Sequence, residues 1–308
     1  VVRDPCLPKT AWPPTLPLYF LILSALLNIV LDLILIIVFH MGAAGAAVAT
    51  VISQGMSGIL CLIYIAKKVP ILHMKKDDWR PTGSLLKTQV GIGIPMALQY
   101  SITAIGTMMV QSSLNILGST LVAAYTAAGK IEQIVTQAYV ALGTTIATFG
   151  AQNMGAGNVP RIRQGFKAST IIGVVYSFLA AALVMTVGKY MSYLFVSEDV
   201  KLIMESVDIY LKCVGIFFIP LAIVNIYRNG IQGLGYGLLP MMAGVAELIG
   251  RGVAATIAAG QRSYLGVCLA SPTAWVLAAA LLIAMYYYIV KIDLKKIFPD
   301  KKVEDNIS

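Results

Sequence analysis

The chain has 308 residues, of which 58% are hydrophobic and only 12% charged, with a mean hydropathy of +0.81, a composition that excludes a water-soluble globule. At roughly 20 to 25 residues per spanning helix, this length holds about eight membrane spans and no sizeable soluble domain. The net charge of +9, from 23 Lys and Arg against 14 Asp and Glu, would suggest nucleic acid in a soluble protein; in a membrane chain it is first a loop-orientation signal, so no nucleic-acid partner is expected.

Residues 1–16 are proline-rich and mixed in charge, lack a signal-peptide pattern, and read as an atypical N-terminal segment. Beyond them, apolar runs predict eight spans at 18–39, 43–66, 88–115, 119–148, 168–195, 205–227, 238–259 and 264–290. All are expected to be helices, because an open sheet edge in lipid leaves backbone groups without partners, and the alternation of a membrane barrel is absent. The predicted fold class is therefore all-α, a polytopic membrane protein of about eight transmembrane helices. Residues 67–87, KKVPILHMKKDDWRPTGSLLK, form the one long polar connection and separate two spans from six. Pro95, Pro220, Pro240 and Pro272 lie in or at the edges of spans, where loss of a backbone donor predicts bends. The first and last pairs of spans share a pattern, with Pro17 and Gly45 spaced 28 apart and Pro240 and Gly266 spaced 26 apart, each glycine opening a small-residue run.

Charge alternates between successive connections. Lys67, Lys68, Lys75, Lys76, Arg80 and Lys87 follow the second span, Arg161, Arg163 and Lys167 the fourth, Arg228 the sixth, and Lys291, Lys295, Lys296, Lys301 and Lys302 the eighth. The opposite connections are nearly bare of cations: Lys189 and Lys201 are outweighed by Glu198, Asp199, Glu205 and Asp208, and Arg262 stands alone. The positive-inside rule then places both termini in the cytoplasm.

The residues that carry chemistry are few. Cys6, Cys61, Cys213 and Cys268 form no CxxC pair, and His40 and His73 are the only histidines, so no disulfide framework, zinc site or catalytic triad is expected. The chain is read as a non-enzyme without a cofactor. Asp32 lies in the middle of the first span, where a carboxylate costs at least about 2.5 to 3.5 kcal/mol and must face a cavity or the bundle interior. Asn28 precedes it by one turn on the same face, about 6 Å away along the axis, close enough to share a small cation. Two readings of Asp32 stand: an ion- or proton-responsive group, or a hydrogen bond to a neighbouring helix. Glu247 and Arg251 form an i, i+4 pair in the order favourable for a helix, with either a structural role or a gating and substrate-facing one. Lys130 and Glu132 are two apart and point in different directions, and Gln133 continues that polar set; all three are candidates for gating or substrate contact. Asp208 and Lys212 read as an interfacial pair. Met96, Met108, Met109, Met241 and Met242 offer either packing or an adaptable cavity lining.

Several stretches taken in order resemble the multidrug and toxic compound extrusion (MATE) family. They are Pro17-Leu18-Tyr19-Phe20 leading to Asn28-Ile29-Val30-Leu31-Asp32, then Gly42-Ala43-Ala44-Gly45-Ala46-Ala47-Val48-Ala49-Thr50, and Gly91-Ile92-Gly93-Ile94-Pro95. Ala123-Ala124-Tyr125-Thr126-Ala127-Ala128-Gly129-Lys130-Ile131-Glu132 and Gln152-Asn153-Met154-Gly155-Ala156-Gly157 complete the set. The family has twelve helices in two lobes. The resemblance implies that 17–66 are the last two helices of the N-lobe, 67–87 a cytoplasmic interlobe linker, 88–290 a six-helix C-lobe and 291–308 a cytoplasmic tail, with the family's first four helices unmatched.

The resemblance also implies a cation site at Asn28, Asp32 and Thr50, holding Na⁺ or serving H⁺. The C-lobe acids of another branch of the family have no counterpart, since Thr103 and about Leu221 occupy those positions. The implied activity is antiport in the cell membrane: amphipathic, often cationic organic compounds leave in exchange for Na⁺ or H⁺ as the lobes rock. A flippase for a lipid-linked sugar is an alternative, but it would need several cavity cations where only Lys130, Arg251 and Lys212 are candidates. A non-transporting membrane protein is the other alternative.

Overall fold

Long apolar segments can satisfy their own backbone only by coiling, and the described residues do so almost throughout. The computed structural model describes residues 16–68, 82–193 and 200–294. Within these, the elements are α1 (Leu16–Leu33) prolonged by a π-helical turn (Ile34–Val38), α2 (Gly42–Lys68), α3 (Gly83–Leu117), α4 (Ser119–Gly155) and α5 (Val159–Thr186). After these come α6 (Gly188–Ser192), α7 (Val200–Ile216), α8 (Phe218–Gly233), α9 (Leu238–Gly260) and α10 (Tyr264–Tyr288) with a second π turn (Ile289–Asp293). Seven helices are each long and apolar enough to cross a membrane, and the bent pair α7–α8 raises the number to as many as eight. The all-helical, multi-span expectation holds. Most of the polar stretch 67–87, at residues 69–81, lies outside the described residues, as do residues 1–15 and 295–308.

Three expectations need correction. The fifth span starts at Val159, not 168, because Asn158 caps it by accepting a bond from the Arg161 amide at 3.2 Å and Pro160 sits in the first turn. Arg161, Arg163 and Lys167 are thus helical residues. The sixth span is two helices meeting at 54°; Pro220 has no N–H to offer the Ile216 carbonyl, and the ladder opens there. Pro95 and Pro272, by contrast, lie inside uninterrupted helices. Arg228, counted as a loop cation, belongs to α8 and is largely buried.

The chain divides into two units, Val1–Gly83 and Ser84–Ser308. The first contains the α1–α2 hairpin. Ser57 of α2 donates to the Phe20 carbonyl at 3.2 Å, and the Phe20 and Tyr64 rings meet edge to face. At the turn, His40 adopts φ 51° and Gly42 φ 55°. A side chain at Gly45 would press within 3.2 Å of the Leu35 backbone, so glycine eases the close start of α2 against α1.

The second unit has two apolar clusters. The larger joins α4, α5, α7, α8 and α10 around Tyr139, Phe166 and Phe218; the smaller packs Val110 and Leu114 of α3 on Ala255 and Ala258 of α9 and on Val267 and Ala270 of α10. Lipid gives no hydrophobic drive for helix pairing, so close approach through small residues matters. At Gly233 an added Cβ would lie 2.3 Å from the Ala147 carbonyl oxygen, so α8 rides directly on the α4 backbone.

Each hairpin turns through a non-glycine residue of positive φ. Arg262, between α9 and α10, has φ 49°, nearly that of His40. The first hairpin has the longer spacing: its π turn takes up an extra residue, and Met41 adds one in the loop.

Candidate functional site

In the α1–α2 hairpin the Asn28 side-chain amide donates to the Thr50 hydroxyl at 3.4 Å, and that hydroxyl donates to the Ala46 carbonyl at 2.9 Å. Thr50 has thus used its single proton, and what its oxygen still offers is a lone pair. Asp32, one turn beyond Asn28, is half-buried, and its Oδ1 is buried without a hydrogen-bond partner. A buried polar atom in that condition is uncommon and calls for a physical account. The α-helix ends one residue later and widens into the π turn, a distortion frequent at functional sites. The hairpin therefore brings Asn28 and Thr50 into contact and leaves Asp32 one turn away with an open oxygen. Carboxylate, hydroxyl and amide oxygens are a donor set suited to a hard cation.

The second unit, a six-helix unit when the bent pair α7–α8 counts as one span and the short α6 is set aside, treats its interior carboxylates differently. Glu247 lies between two guanidinium groups: Arg251 bonds Oε1 at 2.6 Å from the same helix, and Arg228 reaches Oε2 from α8. Glu247 and Arg251 are each 5% exposed, so this is a desolvated cluster with one surplus positive charge. Arg228 and Arg251 also keep buried Nε atoms without acceptors. Glu132 accepts a hydrogen bond from the Tyr210 phenol of α7, and the Tyr210 ring meets Tyr125 edge to face at 4.6 Å. The Tyr210 and Ser271 hydroxyls lie near the Tyr125 phenol, and Arg251 is close enough for its charge to act on Glu132. A buried hydrogen bond and a ring contact thus join α4 and α7 beside the arginine cluster.

The remaining candidates are dispersed. Lys130 and Gln133 are exposed, on the opposite side of α4 from its packed face. Thr103 spends its hydroxyl on the Gln99 carbonyl of its own helix at 3.0 Å, and Leu221 is 8% exposed in the core. Gln99 in turn accepts from Gln232 at 2.8 Å, a buried link between α3 and α8. Asp208 and Lys212 do pair, at 2.6 Å, with much of the lysine exposed. Met109 lines an apolar hollow with Leu248, Gly252 and Thr256, whereas Met108 is 67% exposed.

Sequence reasoning did not find Tyr210, Arg228 as an interior group, or the Gln99–Gln232 bond. The available signal was a hydroxyl, amide or guanidinium inside an apolar run, which demands a partner without naming one.

This architecture is that of a multi-pass membrane protein with polar groups buried between its helices. The MatE family model matches residues 92–257, more than half of the chain, and the chain belongs to the MATE family. It is similar to the probable multidrug resistance protein YpnP of Bacillus subtilis (strain 168), at 34% identity over 218 residues covering 70% of this chain and 47% of that protein. It is also similar to the multidrug export protein MepA of Staphylococcus haemolyticus (strain JCSC1435), at 24% identity over 246 residues, 80% of this chain and 50% of MepA. The chain spans about half the length of the curated relatives it matches. Among solved structures, a MATE in complex with MaL6 superposes with a TM-score of 0.83 at 21% identity, over 90% of this chain and 63% of that one. A Pyrococcus furiosus MOP superfamily transporter, described by the reverse polarity of its binding pocket, gives 0.82 at 21% identity over 89% and 62%. Likeness at that identity shows the fold.

Proposed function

We propose that the protein is a secondary exporter of amphipathic organic compounds, driven by antiport of Na⁺ or H⁺, with Asp32 as the ion-responsive group and Asn28 and Thr50 completing its oxygen set. The observation that carries this reading is the Asp32 Oδ1 atom, buried yet without a hydrogen-bond partner, one helical turn from Asn28, whose amide bonds a Thr50 hydroxyl that has already donated its proton. A group that must take up and release an ion needs open coordination, and a ligand shifts a conformational equilibrium only by its differential affinity for the two states. The names of the relatives, multidrug resistance and multidrug export proteins, support the substrate class.

In this reading 17–66 are N-lobe helices, 67–87 is a cytoplasmic linker, 88–290 is the C-lobe, and both termini face the cytoplasm of a plasma-membrane protein, as the loop cations favour. No enzymatic step and no cofactor beyond the coupling ion is invoked. In the C-lobe, Glu247, Arg251 and Glu132 hold helices together, and Lys130 and Gln133 are left as exposed candidates for substrate contact.

The test is dye efflux from proteoliposomes containing the full-length protein, with Na⁺ and pH gradients imposed separately. Asp32→Asn should abolish gradient-driven efflux while leaving insertion unchanged. Undiminished efflux in that variant would remove Asp32 from the mechanism, and the gradient that drives the unmodified protein identifies the ion.

A further inference from the structure

At one end of the six-helix unit, a cavity of about 950 Å³ opens between α5, α8 and the end of α10. Three cations line it: Arg163 and Lys167 from the first turns of α5, and Lys291 from the π turn that prolongs α10. Among the described residues no carboxylate lines it. Both ends of the cluster sit near where long apolar helices begin or finish.

The wall is aromatic and fixed. Phe166 is 1% exposed and packs on Tyr286 with ring centroids 4.4 Å apart, and Tyr227 meets Tyr286 edge to face at 5.2 Å. Lys291 stands over the Tyr287 ring at 5.7 Å, and Arg163 is near enough to Tyr286 for its charge to act on the phenol. Thr170 spends its one hydroxyl proton on the Phe166 carbonyl at 2.8 Å, so in its 3.3 Å contact with Tyr227 the phenol is the donor and is held in place against α5. Ile171 and Val290 continue the lining as apolar surface. Three cations, with aromatic and aliphatic walls alongside, match a molecule that is anionic at one end and hydrocarbon at the other. Phosphate oxygens suit guanidinium and ammonium donors, and basic pockets between helices on the cytoplasmic side are a recurrent headgroup site.

We propose that this cavity binds the phosphate headgroup of an anionic membrane phospholipid, with its acyl chains along α5 and α10. The site is separate from Asp32 and does not depend on the export reading.

The experiment is native mass spectrometry of the delipidated full-length protein in detergent, titrated with dioleoyl phosphatidylglycerol, with dioleoyl phosphatidylcholine, and with inorganic phosphate as competitor. The phosphatidylglycerol complex should form at least about tenfold more tightly than the phosphatidylcholine complex, and phosphate at millimolar concentration should not displace it. The combined variant Arg163→Gln, Lys167→Gln, Lys291→Gln should lose that tenfold preference, whereas Lys68→Gln, Lys87→Gln, Arg161→Gln, with the same change in net charge outside the cavity, should keep it. The exchange Arg163→Lys, Lys167→Arg, Lys291→Arg should also keep it. Equal binding of the two lipids by the unmodified protein, a comparable loss in both glutamine variants, or displacement by free phosphate would each overturn the proposal; the first of these needs no variant to fold.

Discussion

The α1–α2 hairpin and the six-helix unit handle buried carboxylates in opposite ways. In the six-helix unit Glu247 is held by two arginines and Glu132 by the Tyr210 phenol, so each interior acid has a named partner from another helix. In the hairpin Asp32 has an oxygen that is buried and bare. The difference separates two uses of charge in a membrane. A saturated acid ties helices together and resists change, whereas an acid with open coordination is poised to gain something. Substitutions should therefore act on stability in the first region and on ion response in the second.

The largest expected effect is at Glu247. Glu247→Gln keeps the shape and leaves two buried guanidinium groups without a countercharge, which should destabilise the protein by about 3–5 kcal/mol, read from denaturant or thermal unfolding in micelles. Adding Arg251→Met to that variant should recover part of the loss, because it removes one of the stranded charges. A cost under about 1 kcal/mol for Glu247→Gln would mean that the cluster is solvated, and the contrast between the regions would fail. Next comes Tyr210→Phe, which deletes the hydrogen bond to Glu132 and should cost about 1.5–3 kcal/mol by the same measurement. Gly233→Ala follows. Its new methyl would meet the Ala147 backbone, which cannot rotate away, and the overpacking should cost about 1–3 kcal/mol. Stability within about 0.3 kcal/mol of the parent would show that α8 and α4 are free to separate.

These sites also show how far the sequence can be read. The spans were legible because twenty apolar residues have one solution in lipid, and the bend at Phe217 had its cause in view at Pro220. Glu247 and Arg251 were legible because a pair at i, i+4 is set by helix geometry alone. The third member of their cluster was not. Arg228 lies 19 positions from Glu247, and a cation near the end of an apolar run reads equally as a loop anchor or an interior group until the helices are packed. Tyr210 and Glu132 are 78 positions apart, and neither residue specifies the other. In the hairpin, contact between Asn28 and Thr50 across 22 positions followed from family resemblance and not from periodicity, which fixes the face of one helix but not its register against the next. The π turn after Asp32 left no mark in composition; the spacing excess over the second hairpin is its only trace in the sequence.

Exposed pairs should contribute little in either region. Asp208 and Lys212 touch at 2.6 Å, but the lysine side chain is 57% exposed, and Asp208→Asn should change stability by no more than about 0.5 kcal/mol. A larger loss would indicate that this end of α7 sits in a drier setting than its exposure suggests.

The smallest stability effect, and the sharpest functional one, is expected at Asp32. Removing a charge normally costs a buried acid its partners, but Asp32 Oδ1 has none to lose. Asp32→Asn replaces a carboxylate by a neutral amide of the same size, so the desolvation cost of a charge in a span disappears, and unfolding measurements should show stability unchanged or slightly raised. In Glu247→Gln the same chemical change has the opposite sign, because there the charge is matched. Measured side by side, the two substitutions form one experiment: carboxylate to amide, once where the acid is saturated and once where it is open. If both destabilise the protein alike, Asp32 has a structural partner, and the open-coordination argument for ion coupling falls with it. If only Glu247→Gln destabilises while only Asp32→Asn uncouples efflux from the ion gradient, holding helices and sensing ions are assigned to different acids in different units of the chain.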